Sequence, residues 1–398
     1  MDNTLFDLNR QLNALSVFRS ILETDVVSSL QKLLYAIEKS SLDEQLSLYG
    51  AFSRALYERG GNLTEFVKTF IIEDENFFLI KRLNNAIISR SIYECLDEEL
   101  LVLQKLANIT TPQIKDLINY DEYLPRWDTQ KIDLKKEYDA MLSSLATRGF
   151  GIFAKYRAFK VNDGKLLPVK NADQQTIDQL YGYARERNQV LENTRALAEG
   201  KPASNVLLYG DAGTGKSSTI KACANAFYDQ GVRLVEFDKS QLSDIPVVID
   251  QLCDNPLKFI FYIDDLSFGQ NDDAFCYLKG ILEGNVTSYS KNIAIYATSN
   301  RRHLIKESMD DRLGTDLHLN DTLQETMSLS ARFGLTITFS KPEKDLYLEI
   351  VNCLAQEYGV EMEENELHRK AEAFAIRSNG RSPRTAKQFI QLVSIGIK

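Results

Sequence analysis

The chain of 398 residues is poor in the side chains that build metal and redox sites. It has three histidines in all, and its five cysteines (Cys95, Cys223, Cys253, Cys276, Cys353) lie scattered, with no Cys-x-x-Cys pair. That spacing provides neither a zinc site nor a disulfide framework, and it suits a reducing cytosol. No apolar run approaches the ~18 residues needed to span a bilayer. The opening MDNTLFDLNRQL carries Asp2 and Asp7 where a secretory leader would have a basic flank and an apolar core. The expectation is a cytoplasmic protein without a membrane partner. Positive charge is also short: 47 Lys and Arg against 56 Asp and Glu leave a net charge of −9. A surface built to neutralise a phosphodiester backbone has the opposite sign, so nucleic acid stays open as a partner but is not favoured.

What is present is an ordinary globular composition, 44% hydrophobic and 26% charged, long enough for two or three domains. Residues 1–148 read as a helical N-terminal domain. Leu5, Leu8, Leu12, Leu15 and Phe18 recur at steps of three and four, the stripe of an amphipathic helix. Ser41 with Glu44 and Asn62 with Glu65 have capping-box spacing, Thr111-Pro112 marks a further helix start, and Gly149 marks a stop. No fixed-period repeat and no catalytic constellation occur there. The acidic runs Glu73-Asp74-Glu75 and Asp97-Glu98-Glu99 read as solvated helix ends or loops.

From Gly149 the texture changes. Residues 149–171 read as a linking hairpin, two short strands around Asn162-Asp163-Gly164. A helix is expected from about Gln174 to Ala198, ended by Gly200-Lys201-Pro202. Strands and helices then alternate: NVLLYG, GKSSTIKACANAFYDQG, RLVEFD, IPVVIDQLCDN, KFIFYIDD, DAFCYLKGILEG, NIAIYATSN. The strands are continuous apolar runs, which is how strands covered on both faces read. The expected fold class is α/β: a parallel-sheet core over 172–340 and a helical lid over 341–398, behind the all-α region. In the lid, Ser340 with Glu343 has capping-box spacing and Gly359 follows a helix end.

Ligands of such sheets bind beyond the carboxyl ends of the strands, and the chemistry-bearing residues lie there. Gly210, Asp211, Ala212, Gly213, Thr214, Gly215, Lys216 and Ser217, followed by Ser218, form a phosphate-cradling loop between an apolar strand and a helix. Its glycines let successive N–H groups turn inward, and the helix adds its positive end. Lys216 is expected to reach the β- and γ-phosphates, and the Ser217 hydroxyl to ligate Mg²⁺. KFIFYIDD delivers Asp264 and Asp265 at a strand end, where Asp264 suits the metal and Asp265 an attacking water. AIYATSN ends another strand with Asn300, a neutral amide placed to position that water. By itself a Ser-Asn strand end is also ordinary turn chemistry.

In this order the motifs resemble those of the AAA+ ATPases, closest to an uncharacterised bacterial AAA+ family. The resemblance covers about residues 172–398. It names Gly210–Ser217 Walker A, Asp264 and Asp265 Walker B, and Asn300 sensor 1. SLSARFGLTITF resembles the segment presenting an arginine finger, with Arg332 at the finger position. NGRSPRTAKQF resembles sensor 2, with Ser382 capping a helix, Pro383 in its first turn and Arg384 near its start. The implied cofactors are ATP and Mg²⁺, and the implied partners are further copies of the chain, engaged through Arg332. The Asp-Asp strand end also resembles that of bacterial helicase loaders. Many AAA+ proteins carry Asp-Glu there; Asp265 stops about one bond length short, so slow hydrolysis is expected.

Other nucleotide enzymes fit less well. The guanine-reading Asn-Lys-x-Asp and the transporter signature Ser-Gly-Gly-Gln do not occur. A small-molecule kinase would leave Asn300 and the lid unexplained. Two functions stand: an ATP-hydrolysing oligomer that remodels a protein client recruited by residues 1–148, and an ATP-switched loader acting on nucleic-acid machinery. The acidic balance favours the first slightly.

Overall fold

The computed structural model describes residues 4–84, 86–268, 273–282, 291–300, 331–378 and 380–397. It divides into two compact units, Met1–Lys155 and Tyr156–Lys398.

The first unit is built of helices, with a non-helical stretch over residues 119–133 whose Asp128 bridges to Asn62. Its helices are α1 (Thr4–Asn13), α2 (Asp25–Lys39), α3 (Leu42–Tyr57), α4 (Leu63–Glu73) and α5 (Phe77–Leu83). They continue with α6 (Arg90–Ala107), α7 (Thr111–Ile118), α8 (Leu134–Ser143), α9 (Leu145–Arg148) and α10 (Ile152–Lys155). Caps start several of them. The Ser41 hydroxyl accepts the Glu44 N–H and the Asn62 side-chain Oδ1 accepts the Glu65 N–H. The cap of α7 is Thr110, one residue before the expected Thr111, because Gln113 reaches back to the Thr110 N–H at 2.8 Å.

Two expectations change here. The first leucine stripe continues past α1, yet α1 ends at Asn13, and Leu15 and Phe18 reach the core from the following turn. Glu99 is the reason, and it is not a solvated carboxylate: it is 6% exposed. Its two oxygens accept the N–H groups of Ser16, Val17 and Phe18 at 2.6–3.1 Å. One buried carboxylate thus satisfies three successive backbone donors that helix geometry would have used. Asp74 is likewise engaged, accepting from Ser20 Oγ at 2.6 Å and Asn76 Nδ2 at 3.2 Å, and burial raises its carboxyl above the usual range.

In the second unit seven strands form one sheet in the order β2-β1-β4-β5-β6-β3-β7. They are β1 (Ala158–Asn162), β2 (Lys165–Pro168), β3 (Val206–Gly210), β4 (Val232–Phe237), β5 (Lys258–Ile263), β6 (Ile293–Ser299) and β7 (Leu335–Phe339). Neighbours from β1 to β7 run parallel, and β2 adds an antiparallel edge. The hairpin is therefore part of the sheet: β1 lies beside β4, with Ala158 opposite Leu234. Its strands are shorter than expected, since Ile152–Lys155 is helical. Asp163 and Gly164 make its turn with φ of 49° and 70°, the primed geometry that matches strand twist.

The helices of this unit are α11 (Ala184–Ala198), α12 (Lys216–Ala226), α13 (Ile245–Leu252) and α14 (Asp273–Leu282). Val190 and Leu197 of α11 and Ile220 and Cys223 of α12 pack with Leu208, Ile260, Tyr262 and Tyr296 on one face of the sheet. The alternate residues of β5, Phe259, Phe261 and Ile263, are fully buried too, so this strand is covered on both faces. The helix expected from Gln174 begins only at Ala184. Gly182 (φ 73°) and Tyr183 (φ 52°) are left-handed, and the stretch before them forms a single 3₁₀ turn, Ile177–Gln179.

After β7 come α15 (Lys344–Glu357), α16 (Glu364–Arg377) and α17 (Pro383–Ser394), which bury Tyr347, Ile350, Leu367, Ala371, Phe389 and Ile390 among themselves. The residue capping α15 is Glu343 rather than Ser340. Ser382 caps α17 as expected, accepting the Thr385 N–H at 3.1 Å.

Candidate nucleotide site

β3 ends at Gly210, whose φ is 136° and whose register partner on β7 is Phe339. A Cβ at 210 would run into the Phe339 carbonyl, so only glycine lets the chain leave the sheet here. Asp211, Ala212, Gly213 and Thr214 then curl over to Gly215, and Lys216 opens α12. The turn is tied to β7 and the lid: Asp211 donates its N–H to Phe339 O at 3.1 Å, and its Oδ2 accepts the Lys341 N–H at 2.9 Å. Gly213 O accepts the N–H of Arg384 at 3.2 Å, which seats the start of α17 on the loop.

Lys216 is 6% exposed. Its Nζ donates to Gly210 O at 2.9 Å, Asp211 O at 2.8 Å and Asn300 Oδ1 at 3.0 Å. Burial lowers this ammonium from its ordinary range, while the carboxylates of Asp211, Asp265 and Asp264 oppose that fall. The strand ends beside it meet at short range. Ser217 Oγ donates to Asp264 Oδ1 at 2.8 Å, and Asn300 Nδ2 donates to Asp265 Oδ1 at 2.7 Å. Burial pushes the Asp264 carboxyl up, but donors that include Thr298 and Ser217 outweigh it and hold it below the usual carboxylate range.

A cavity of about 790 Å³ opens over these groups, within the size range of small-molecule and cofactor sites. Residues 212–219, Asp264, Asp265, Thr298, Asn300 and Arg384 all line it. Arg332 is not among them. It lies three residues before Leu335, the first residue of β7, which pairs with Val206 at the start of β3, so its backbone lies towards the starting ends of these strands and the loop lies at their other ends. A five-residue strand separates the two ends by ~16 Å.

A family model described as a protein of unknown function, DUF815, matches residues 153–396, well over half of the chain. The chain belongs to the DUF815 family. No curated protein matches it. Among solved structures it is similar to the Thermotoga maritima RuvB Holliday junction branch migration motor, at 15% identity and a TM-score of 0.36. That alignment covers 55% of the DUF815 chain and 63% of RuvB, so the chain spans under two thirds of this neighbour. It is also similar to the FIGL-1 AAA domain in complex with ADP, at 16% identity and a TM-score of 0.38, covering 57% of this chain and 74% of that one.

The DUF815 chain also places in the site residues that its motifs do not reveal. Thr298 Oγ1 donates to Asp264 Oδ1 at 2.6 Å and accepts the Asp265 N–H at 2.9 Å, while Thr298 O accepts the Leu266 N–H at 2.7 Å. One threonine thereby fixes the turn that aims both aspartates, with Asp265 held left-handed at φ 46°. A hydroxyl two residues before Asn300 was the available signal. The far wall of the cavity consists of Leu180, Tyr181, Gly182 and Tyr183 before α11 and of Ile350, Leu354 and Glu357 on α15. Gly182 is packed so closely on Ile350 that a Cβ would approach its Cδ1 to 2.8 Å. That wall is assembled from segments about 170 residues apart in the chain, and no local pattern marks it.

Proposed function

We propose that this DUF815 protein is a Mg²⁺-dependent ATPase of the AAA+ type that works as an oligomer. One observation carries the reading: Lys216, the Ser217–Asp264 pair and the Asp265–Asn300 pair meet at the start of α12, beneath a cavity of about 790 Å³. Backbone N–H groups of 212–218 and the positive end of α12 hold the phosphates, and Lys216 answers their charge. Among the described residues no cluster of three His, Cys, Asp or Glu could cage a metal by itself. The donor set fits Mg²⁺ even so, since that ion takes one or two carboxylates together with substrate phosphates, and Ser217 Oγ and Asp264 Oδ1 are neighbouring hard oxygens. When bound there, Mg²⁺ neutralises charge on the β- and γ-phosphate oxygens.

Asp265 then orients and polarises water at the γ-phosphate, with Asn300 holding the carboxylate in place and Arg384 adding charge from the lid. Arg332, remote from its own chain's loop, serves the site of a neighbouring copy. A protein client recruited by the N-terminal helical unit is the favoured object of the cycle, on the acidic charge balance. A loader for nucleic-acid machinery is the second reading, favoured by the Asp-Asp strand end. Calorimetry on Lys216→Ala tests the core claim. A folded variant is expected to lose MgATP affinity by roughly 10- to 100-fold or more, the range for charged hydrogen bonds. Undiminished affinity would remove the phosphate-loop assignment.

A further inference from the structure

Arg187 lies on the first turn of α11, and neither the motifs nor the roles assigned above use it. Its side chain lines the nucleotide cavity. Its Nη1 is shut off from solvent and has no hydrogen-bond partner among the described residues. A buried guanidinium donor left unmatched is costly, and such groups call for an explanation in function or in a ligand. Burial also lowers this guanidinium from its ordinary range, with Cys223 and Glu186 as the groups that act on it after that.

Its place in the chain locates it. Arg187 follows the wall segment Leu180–Tyr183 by four residues. Lys216, at the phosphate end, donates instead to Gly210 O, Asp211 O and Asn300 Oδ1. The two cations therefore serve different ends of one cavity, and Arg187 stands with the wall built by Leu180, Gly182 and Ile350. Leu180, Ile350 and Leu354 give that wall apolar surface for a flat ring, beside the Glu357 carboxylate.

We propose that Arg187 is a specificity-determining residue that reads the nucleoside part of the bound nucleotide, donating from its guanidinium to an acceptor there, while Lys216 reads the phosphates. The proposal rests on the nucleotide reading above and adds a second, separable contact to it. A guanidinium suits the task because it stays charged and presents several planar donors, none of which can act as an acceptor.

The test compares MgATP with magnesium tripolyphosphate, which has the phosphates and no nucleoside. Both are titrated by calorimetry into the parent, Arg187→Met and Arg187→Lys, with melting curves confirming that each variant is folded. Arg187→Met is expected to lose ATP affinity by about 10- to 100-fold, the size of a hydrogen bond from a charged group, and to keep tripolyphosphate affinity within a few-fold. Arg187→Lys keeps the charge without the fork and is expected to recover only part of the loss. If Arg187→Met fails to fold, the same ATP-against-tripolyphosphate comparison on Arg187→Lys decides. Equal losses for both ligands, or no loss for ATP, would overturn the proposal. A parent that binds neither ligand would instead overturn the phosphate-loop reading, so the two failures are distinguishable.

Discussion

Asp265 carries the heaviest demand of any single residue. It is a left-handed non-glycine at φ 46°, with its N–H bonded to Thr298 and its carboxylate to Asn300. Such a backbone costs of order 1 kcal/mol or more and persists where surroundings impose it. Aspartate and asparagine are the residues that tolerate it best. Asp265→Asn is therefore expected to keep its fold and its MgATP affinity and to lose turnover by about 10²–10⁴, the range for a positioned base. Phosphate release at saturating ATP measures it. Turnover at the parental rate would move the water-polarising role to another group.

At the scale of elements, the site depends on two strand ends being locked together rather than on either alone. β5 delivers Asp264 and Asp265, β6 delivers Asn300, and the side chain and carbonyl of Thr298 bridge them through three hydrogen bonds. Thr298→Val keeps the shape and removes the hydroxyl, leaving the Asp265 N–H and one Asp264 oxygen without that partner. Thr298 is 1% exposed, so the loss falls in the ~1–3 kcal/mol range for an unmatched buried group. For a unit of this size that is a fall of about 2–12 °C in melting temperature, together with slower turnover as the two carboxylates lose their aim. A variant with parental stability and turnover would show that the strand ends hold without the bridge.

At the scale of the molecule, the question is whether one chain is enough. Arg332 lies just before β7, towards the strand ends away from the loop that follows β3, and the role proposed for it is one played in another copy. Arg332→Ala is expected to bind ATP with near-parental affinity and to lose turnover. An arginine supplied in this way is worth roughly 10³–10⁵ in GTPases, and a smaller factor is expected where Asp265 already limits the chemistry. Mixed with Lys216→Ala, it should recover part of its activity, because one subunit binds ATP and the other lends an intact arginine. The parent's specific activity should also rise with protein concentration. Activity that stays flat across the monomer-to-oligomer range, with no rescue in the mixture, would make Arg332 an ordinary surface arginine.

Much of this was legible in the residues alone because the information is local. Apolar runs of five to seven residues read as strands buried on both faces, and β3, β4, β5 and β6 are such strands. The phosphate loop is contiguous, so its glycines, Lys216 and Ser217 announce themselves by spacing. What only the tertiary structure decided involves partners distant in the chain. Glu99 stops the first helix by capturing N–H groups about 80 residues away, which its place in an acidic run cannot disclose. The hairpin proved to be a sheet edge because β4, some 70 residues on, offers it a parallel partner. Thr298, Gly182 and Arg187 acquire meaning only once β5, α15 and α12 come to lie beside them. Backbone propensity and spacing act over a few residues, whereas an unpaired donor, a buried carboxylate or a cavity wall is defined by what folding brings within hydrogen-bond reach.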